Sequence, residues 1–260
     1  MDILQRICEK KRLEVAQQKK DMPFEYLREF YDITEHQTLS FKQALLNSPS
    51  GIIAEFKRKS PSKGWINPDA TAKKTVRNYV EAGAAAISIL TDTEFFGGRF
   101  FDFKKARKAV DHIPFLRKDF IVDEYQVHQS KVLGADVILL IAACLTKEEV
   151  SRLAGIAHQL AMEVLLEIHS EQELDYITEA VDVVGVNNRD LTRFITDVEI
   201  SFRLTDKIPA KFVRISESGL SDAQTVRDLR QAGYQGFLMG ENFMKTPDPG
   251  KALADFIKEI

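Results

Sequence analysis

VLGADVILLI, Val132–Ile141, decides the architecture: a helical approach ends at a glycine, and an apolar, β-branched run begins at once. Glycine accepts the left-handed conformation that closes a helix, and the residues after it start a strand. The same reading fits EAGAAAISIL at Glu81–Leu90, EAVDVVGVN at Glu179–Asn187 and QAGYQGFLMG at Gln231–Gly240. The four copies lie roughly fifty residues apart, the length of two strand–helix units, and a fixed period of that size marks a repeated architecture. Four further apolar runs fill the gaps, at Ile52–Lys57, Pro114–Lys118, Val164–Ile168 and Phe212–Ser216. Helical spacing predicts helices over 70–82, 103–110, 124–133, 147–159, 171–180, 198–206, 223–232 and 249–260, with Asp123, Thr146, Ser170 and Asp222 as N-caps. Near-continuous apolar strands alternating with helices imply a parallel sheet buried on both faces. Eight such units favour closure, so the expected fold is α/β, a single (β/α)8 TIM barrel.

Length agrees: 260 residues is the usual size of one such barrel. Residues 1–50 precede the first strand. Ile3, Ile7, Leu13 and Val15 among Lys, Glu and Gln suggest an amphipathic helix, followed by Phe24, Tyr26, Leu27 and Phe30. This N-terminal helical extension either plugs the barrel bottom or forms a flap over the mouth. With no Pro/Gly/Ser linker, residues 1–260 are read as one domain. Hydrophobic content of 44%, charged content of 29% and a net charge of -3 suit a soluble protein without a nucleic-acid footprint. Cys8 and Cys144 form no disulfide framework, MDILQRICEKKR lacks the long apolar core of a signal peptide, and Val137–Leu145 is too short to cross a bilayer. A cytoplasmic location is expected.

Barrel enzymes build their sites at the C-terminal ends of strands, and there the sequence carries charge. Strand alternation puts Glu55 and Lys57 on one face, with Arg58 opposite; it groups Leu116, Lys118 and Phe120, and likewise Leu165, Glu167 and His169. If these sets point inward, two lysines and two carboxylates converge in one cavity. Unpaired buried charge costs several kcal/mol, so such a cluster is paired or functional. Desolvation would lower a lysine pKa toward that of a neutral-pH acid and raise that of a glutamate. Asn187 shares its face with Gly185 and Arg189, whereas Asn188 faces the helix layer. Gly219 and Gly240 lie just beyond strands seven and eight, where such barrels bind phosphate. No metal-ligand spacing, phosphate-binding loop or dinucleotide fingerprint is present, so neither metal nor cofactor is implied. His169 is expected to be a strand-end surface residue.

The motifs EFKRKSPSKG at Glu55–Gly64 and LRKDFIVDEYQV at Leu116–Val127 resemble those of indole-3-glycerol-phosphate synthases. So do LLEIHSEQEL at Leu165–Leu174, GVNNRDL at Gly185–Leu191 and SESGLS at Ser216–Ser221. The resemblance covers nearly the whole chain, including the N-terminal extension. It implies a carboxy-lyase of tryptophan biosynthesis. The implied reaction is ring closure, decarboxylation and dehydration of 1-(2-carboxyphenylamino)-1-deoxyribulose 5-phosphate to indole-3-glycerol phosphate. It makes Lys118 the general acid and Lys57 a second acid, with Glu55 or Glu167 as base. Asn187, Glu217 and Ser218 become substrate-orienting groups, and Lys57, Ser60 and Arg189 contacts for carboxylate or phosphate. Phe96, Phe120, Leu139, Leu191 and Met239 become the wall around the aromatic ring, for which core packing is the competing reading. One departure is Glu241, where phosphate-binding relatives often carry serine after the glycine. The backbone N–H groups can still bind phosphate if that carboxylate turns to solvent. Competing readings are another phosphosugar barrel, such as phosphoribosylanthranilate isomerase or an aldolase-like lyase, and a non-catalytic scaffold barrel. The expected partner is a small phosphorylated substrate, with association with other enzymes of the pathway left open and neither nucleic acid nor membrane involved.

Overall fold

A computed structural model describes residues 3–29, 36–190 and 195–260. Eight parallel strands close a barrel: β1 (Ile52–Phe56), β2 (Ala86–Leu90), β3 (Phe115–Lys118), β4 (Val137–Ile141), β5 (Glu163–Ile168), β6 (Val183–Asn187), β7 (Val213–Glu217) and β8 (Gly236–Met239). The seam closes where β1 pairs with β8, Ile52 opposite Phe237. Alternation sorts the side chains into two cores. Ile53, Leu116, Leu139, Leu165, Val183 and Ile215 fill the barrel, while Ile52, Ile87, Phe115, Ile138, Leu166 and Val184 pack outward under the helices. Each face of the sheet is therefore buried, the physical reason the strands read as unbroken apolar runs.

Three helices precede β1: α1 (Ile3–Asp21), α2 (Phe24–Glu29) and α3 (Phe41–Asn47). The outer layer comprises α4 (Ala72–Glu81), α5 (Phe100–Ala109), α6 (Glu124–Leu133), α7 (Lys147–Gln159), α8 (Glu199–Thr205) and α9 (Ala223–Gln231), then α10 (Glu241–Met244) and α11 (Pro249–Glu259). Three expected caps are formed: Asp123 and Asp222 accept N–H groups, and Thr146 makes a capping box with Glu149. Ser170 makes no such side-chain bond, and in place of a helix over 171–180 there is a 3₁₀ turn over Glu171–Tyr176. Glu173 folds back to accept the His169 N–H at 2.5 Å, and β-branched Ile177 and Thr178 follow. Local side-chain bonding and crowded χ1 both work against a longer helix there.

The extension does not choose between the barrel's two ends; it holds both. At the C-terminal mouth, the buried Lys11 of α1 reaches Asp92 after β2 at 2.9 Å and Asp119 after β3 at 3.1 Å. Farther along, Lys19 pairs with Asp123 and the Tyr125 hydroxyl donates to the Met22 carbonyl, so the chain descends beside α6. At the bottom, His36 and the Leu39 N–H meet Asp136 at the start of β4, and Ser40 and the Lys42 N–H meet Glu163 at the start of β5. Phe41 and Leu45 then close the floor of the inner core. Phe41→Ala should cost about 3–5 kcal/mol, the range for deleting a buried phenyl ring. Urea unfolding of the two proteins measures it, and equal midpoints would remove the plug from the stability of the barrel.

Candidate active site

Inward parity carries polar side chains as well as apolar ones to the top of the barrel. Glu55, Lys118, Glu167, Asn187 and Glu217 stand on β1, β3, β5, β6 and β7 and line one cavity. The Lys118 Nζ donates to Glu167 Oε2 at 2.9 Å and Glu217 Oε2 at 2.5 Å, and the Lys57 Nζ donates to Glu55 Oε1 at 2.5 Å. Arg58 turns outward and pairs with Asp102 of α5, as its opposite parity requires. Two glycines make room for the carboxylates. A Cβ on Gly185 would lie 2.4 Å from Glu217 Oε1, and one on Gly240 would lie 2.7 Å from Glu55 Oε1. Glycine within a strand, or just past its end, thus marks the close approach of a functional side chain.

The electrostatics depart from the expectation of a lysine with a lowered pKa. Burial opposes the Lys118 charge, but Glu167, Glu217 and Glu55 outweigh it and raise the pKa well above the usual amine range. An ion pair at 4 Å gains about 4 kcal/mol at an effective dielectric near 20, so two contacts can exceed a desolvation cost of several kcal/mol. The carboxylates divide. Burial opposes the Glu167 charge too, but Lys118 and then His169 hold its pKa far below the usual range. Glu217 is pushed up from 4.5 to about 7 by burial, with Glu167 and Glu55 adding repulsion against the pull of Lys118. The crowding of carboxylates around two ammonium groups is the physical cause of that upward shift at Glu217. His169 is not a surface residue: its Nε2 lies 3.3 Å from Glu167 Oε1 and its Nδ1 3.5 Å from Glu173 Oε2.

The same cavity is lined by Gly219 after β7 and Gly240 at the start of α10. Ser218 and Gly219 are both left-handed, with φ of 69° and 76°. For Ser218 that conformation costs roughly 1–2 kcal/mol. Asn188 restrains it: its Nδ2 donates to the Ser218 carbonyl at 3.1 Å and to Ser216 Oγ at 2.9 Å, while its Oδ1 accepts from Ser201 of α8. Ser60 and Arg189 line the cavity too. Glu241 does not simply face solvent, because its carboxylate lies 3.8 Å from Arg189 Nη2 and 3.9 Å from Lys63 Nζ. Two cations thereby offset the charge that would repel a phosphate.

The apolar wall includes Phe96, Phe120 and Leu139, with the two rings 5.9 Å apart. Leu139 is both wall and inner core. Met239 borders the cavity but packs in the outer core, and its neighbour Leu238 is the inward residue. Leu191 lies outside the described residues. Lys11 braces this wall. Its partner Asp92 accepts the N–H groups of Phe95 and Phe96, and its partner Asp119 sits between Lys118 and Phe120. Asp119 also bonds Arg117 and Thr91; despite full burial, Lys11 and then Arg117 lower its pKa to about 2.

A family model described as indole-3-glycerol phosphate synthase matches residues 4–256. The chain belongs to that family. It is 53% identical over 259 residues to the indole-3-glycerol phosphate synthase of Bacteroides thetaiotaomicron, covering 100% of this chain and 99% of the relative. It is 40% identical over 258 residues to that of Carboxydothermus hydrogenoformans, covering 96% and 97%. Among solved structures, 3-hexulose-6-phosphate synthase from Salmonella typhimurium superposes with a TM-score of 0.62 at 14% identity. That match covers 80% of this chain and 98% of the other, a likeness of fold alone.

Every family residue expected at the site that lies among the described residues borders the cavity. Sequence reasoning missed Lys11, Asp92 and Asp119, which meet only through the fold. It also missed Lys245, Ser221 and Asn242, which line the end near Gly240. Among the described residues no cluster of His, Cys, Asp or Glu could hold a metal ion, and no helix is long and apolar enough to cross a membrane. Glu217 gives a pH-dependent prediction. Its pKa is higher folded than unfolded, so its contribution is fully present below about pH 4.5 and is lost as pH rises toward 7. The melting temperature of Glu217→Gln minus that of the wild type should therefore become more positive from pH 4.5 to pH 8. A difference independent of pH would place the proton elsewhere.

Proposed function

We propose that Lys118, Lys57 and the glutamates around them carry out the family's reaction. That reaction closes, decarboxylates and dehydrates 1-(2-carboxyphenylamino)-1-deoxyribulose 5-phosphate to indole-3-glycerol phosphate. The observation that carries the reading is the half-buried Lys118 ammonium, bonded to Glu167 and Glu217 in a cavity that Gly219 and Gly240 also line. As the aromatic carbon attacks the ketone, charge develops on the ketone oxygen. An ammonium with a raised pKa can still protonate an alkoxide, which is far more basic, and it stabilises the developing charge before the proton moves. Loss of carbon dioxide restores the aromatic ring, and loss of water completes the indole. Lys57 is the second acid for that dehydration. Glu167, held ionised, is the better base of the two candidates, because the lysine beside Glu55 is itself the proposed acid.

Asn187, Ser60 and Ser218 orient substrate oxygens, and Arg189 and Lys57 meet its carboxylate or phosphate. The backbone N–H groups of Gly219, Gly240 and Glu241 are proposed to receive the phosphate, with the Glu241 side chain drawn aside by Arg189 and Lys63. Phe96, Phe120, Leu139, Leu191 and Met239 enclose the ring. Such an enzyme would need neither metal nor cofactor, and would work in the cytoplasm, alone or beside other enzymes of its pathway. An isomerase of phosphoribosylanthranilate would need a single acid and base, which leaves the second lysine–glutamate pair unexplained.

Lys118→Ala should lower the rate of indole product formation, followed by fluorescence, by at least about 10³-fold, combining loss of a general acid with loss of an oxyanion donor. A variant near wild-type rate would remove Lys118 from the chemistry. Borohydride added during turnover should trap no adduct on either lysine, and a trapped imine would favour an aldolase-type reaction.

A further inference from the structure

Beyond the groups placed on the substrate, a buried imidazole stands behind one of them. His169 follows β5 and is enclosed on two sides by acid: Glu167 of its own strand at 3.3 Å and Glu173 of the 3₁₀ turn at 3.5 Å. Neither ring nitrogen makes a regular hydrogen bond, although both are fully buried. A neutral ring would leave one bare nitrogen lone pair facing a carboxylate, whereas an imidazolium presents an N–H to each. Glu173 is fixed in turn by the His169 N–H.

We propose that His169 is a positioning residue: clamped between Glu167 and Glu173, its imidazolium keeps Glu167 ionised for the reaction. The inference rests on the reading of Glu167 as the base of the reaction. Lys118 bonds both glutamates, and its shorter contact, 2.5 Å against 2.9 Å, goes to Glu217, so Lys118 is not what singles out Glu167. His169 faces only Glu167, and that asymmetry separates them. Burial works against the imidazolium, yet Glu167 and Glu173 raise its pKa to about 10. The groups facing the ring are those two carboxylates. Beyond Glu167 stand Lys118 of β3, Glu217 of β7 and the Cys144 thiol, which its hydrogen bond to Cys8 and its burial keep neutral.

Two measurements on the full chain test this. In the ligand-free wild type, imidazole NMR, with the His169 signals assigned by their loss in His169→Gln, should show that ring protonated from pH 6 to pH 8. Deprotonation near the ordinary value of about 6.5 overturns the proposal without touching the enzymatic reading. In the kinetic arm, His169→Gln should move the acidic limb of the kcat/KM profile up by about one pH unit. The loss would then be about tenfold at a pH below the limb and small at the optimum. Glu173→Gln disturbs the same packing but leaves a cation on Glu167 at acidic pH, so its limb should stay in place or fall. If both variants move the limb alike, or neither does, His169 is structural and the assignment fails. A wild type without turnover would instead overturn the reading of the site itself.

Discussion

A lysine ammonium sealed into the mouth of a barrel needs negative partners, and in this molecule that need organises the site. Lys118 meets Glu167 and Glu217 directly and feels Glu55. Without them burial would act against the charge unopposed; with them it is held, and the crowding of acids raises the Glu217 pKa. The geometry that permits this is paid for in side chains elsewhere, since Gly185 and Gly240 hold no Cβ where the carboxylates pass. Lysine, glutamates and glycines therefore form a single constraint. A change in any one is felt by the others through a few ångströms of low-dielectric space.

The N-terminal segment extends that constraint to the aromatic wall. Lys11 is itself a buried cation held by carboxylates, and its partners Asp92 and Asp119 belong to the connections that carry Phe96 and Phe120. The strand ends that supply the chemistry are thus fixed from outside the repeat, by a helix that is not part of any strand–helix unit.

Periodicity made most of the fold legible. Each of the eight strands lies where the apolar runs lie, because burial on both faces leaves a run without polar interruption. Strand parity also placed Glu55, Lys118 and Glu167 in one cavity, since alternation is a property of a few successive residues. It could not give the sign of the Lys118 shift, which depends on who stands opposite: Glu217 is 99 residues away in the chain. The Lys11 cluster was illegible for the same reason, and the extension's position at both ends of the barrel arises from contacts such as His36 with Asp136 that no local pattern announces. His169 was misjudged because a strand end reads as surface, whereas the turn over Glu171–Tyr176 folds back across it.

The β1–β8 seam has a consequence for assembly. Ile52 finds Phe237 only after nearly the whole intervening chain has been threaded round the ring. Closing so long a loop carries an entropy cost that local contacts cannot refund early, so an incomplete ring leaves two unpaired sheet margins, ready to join other chains. The floor formed by Phe41 and Leu45 spans that seam, Leu45 against Gly236 of β8 and α3 beside β2, the strand next to β1, so apolar contact as well as strand pairing holds the ring shut.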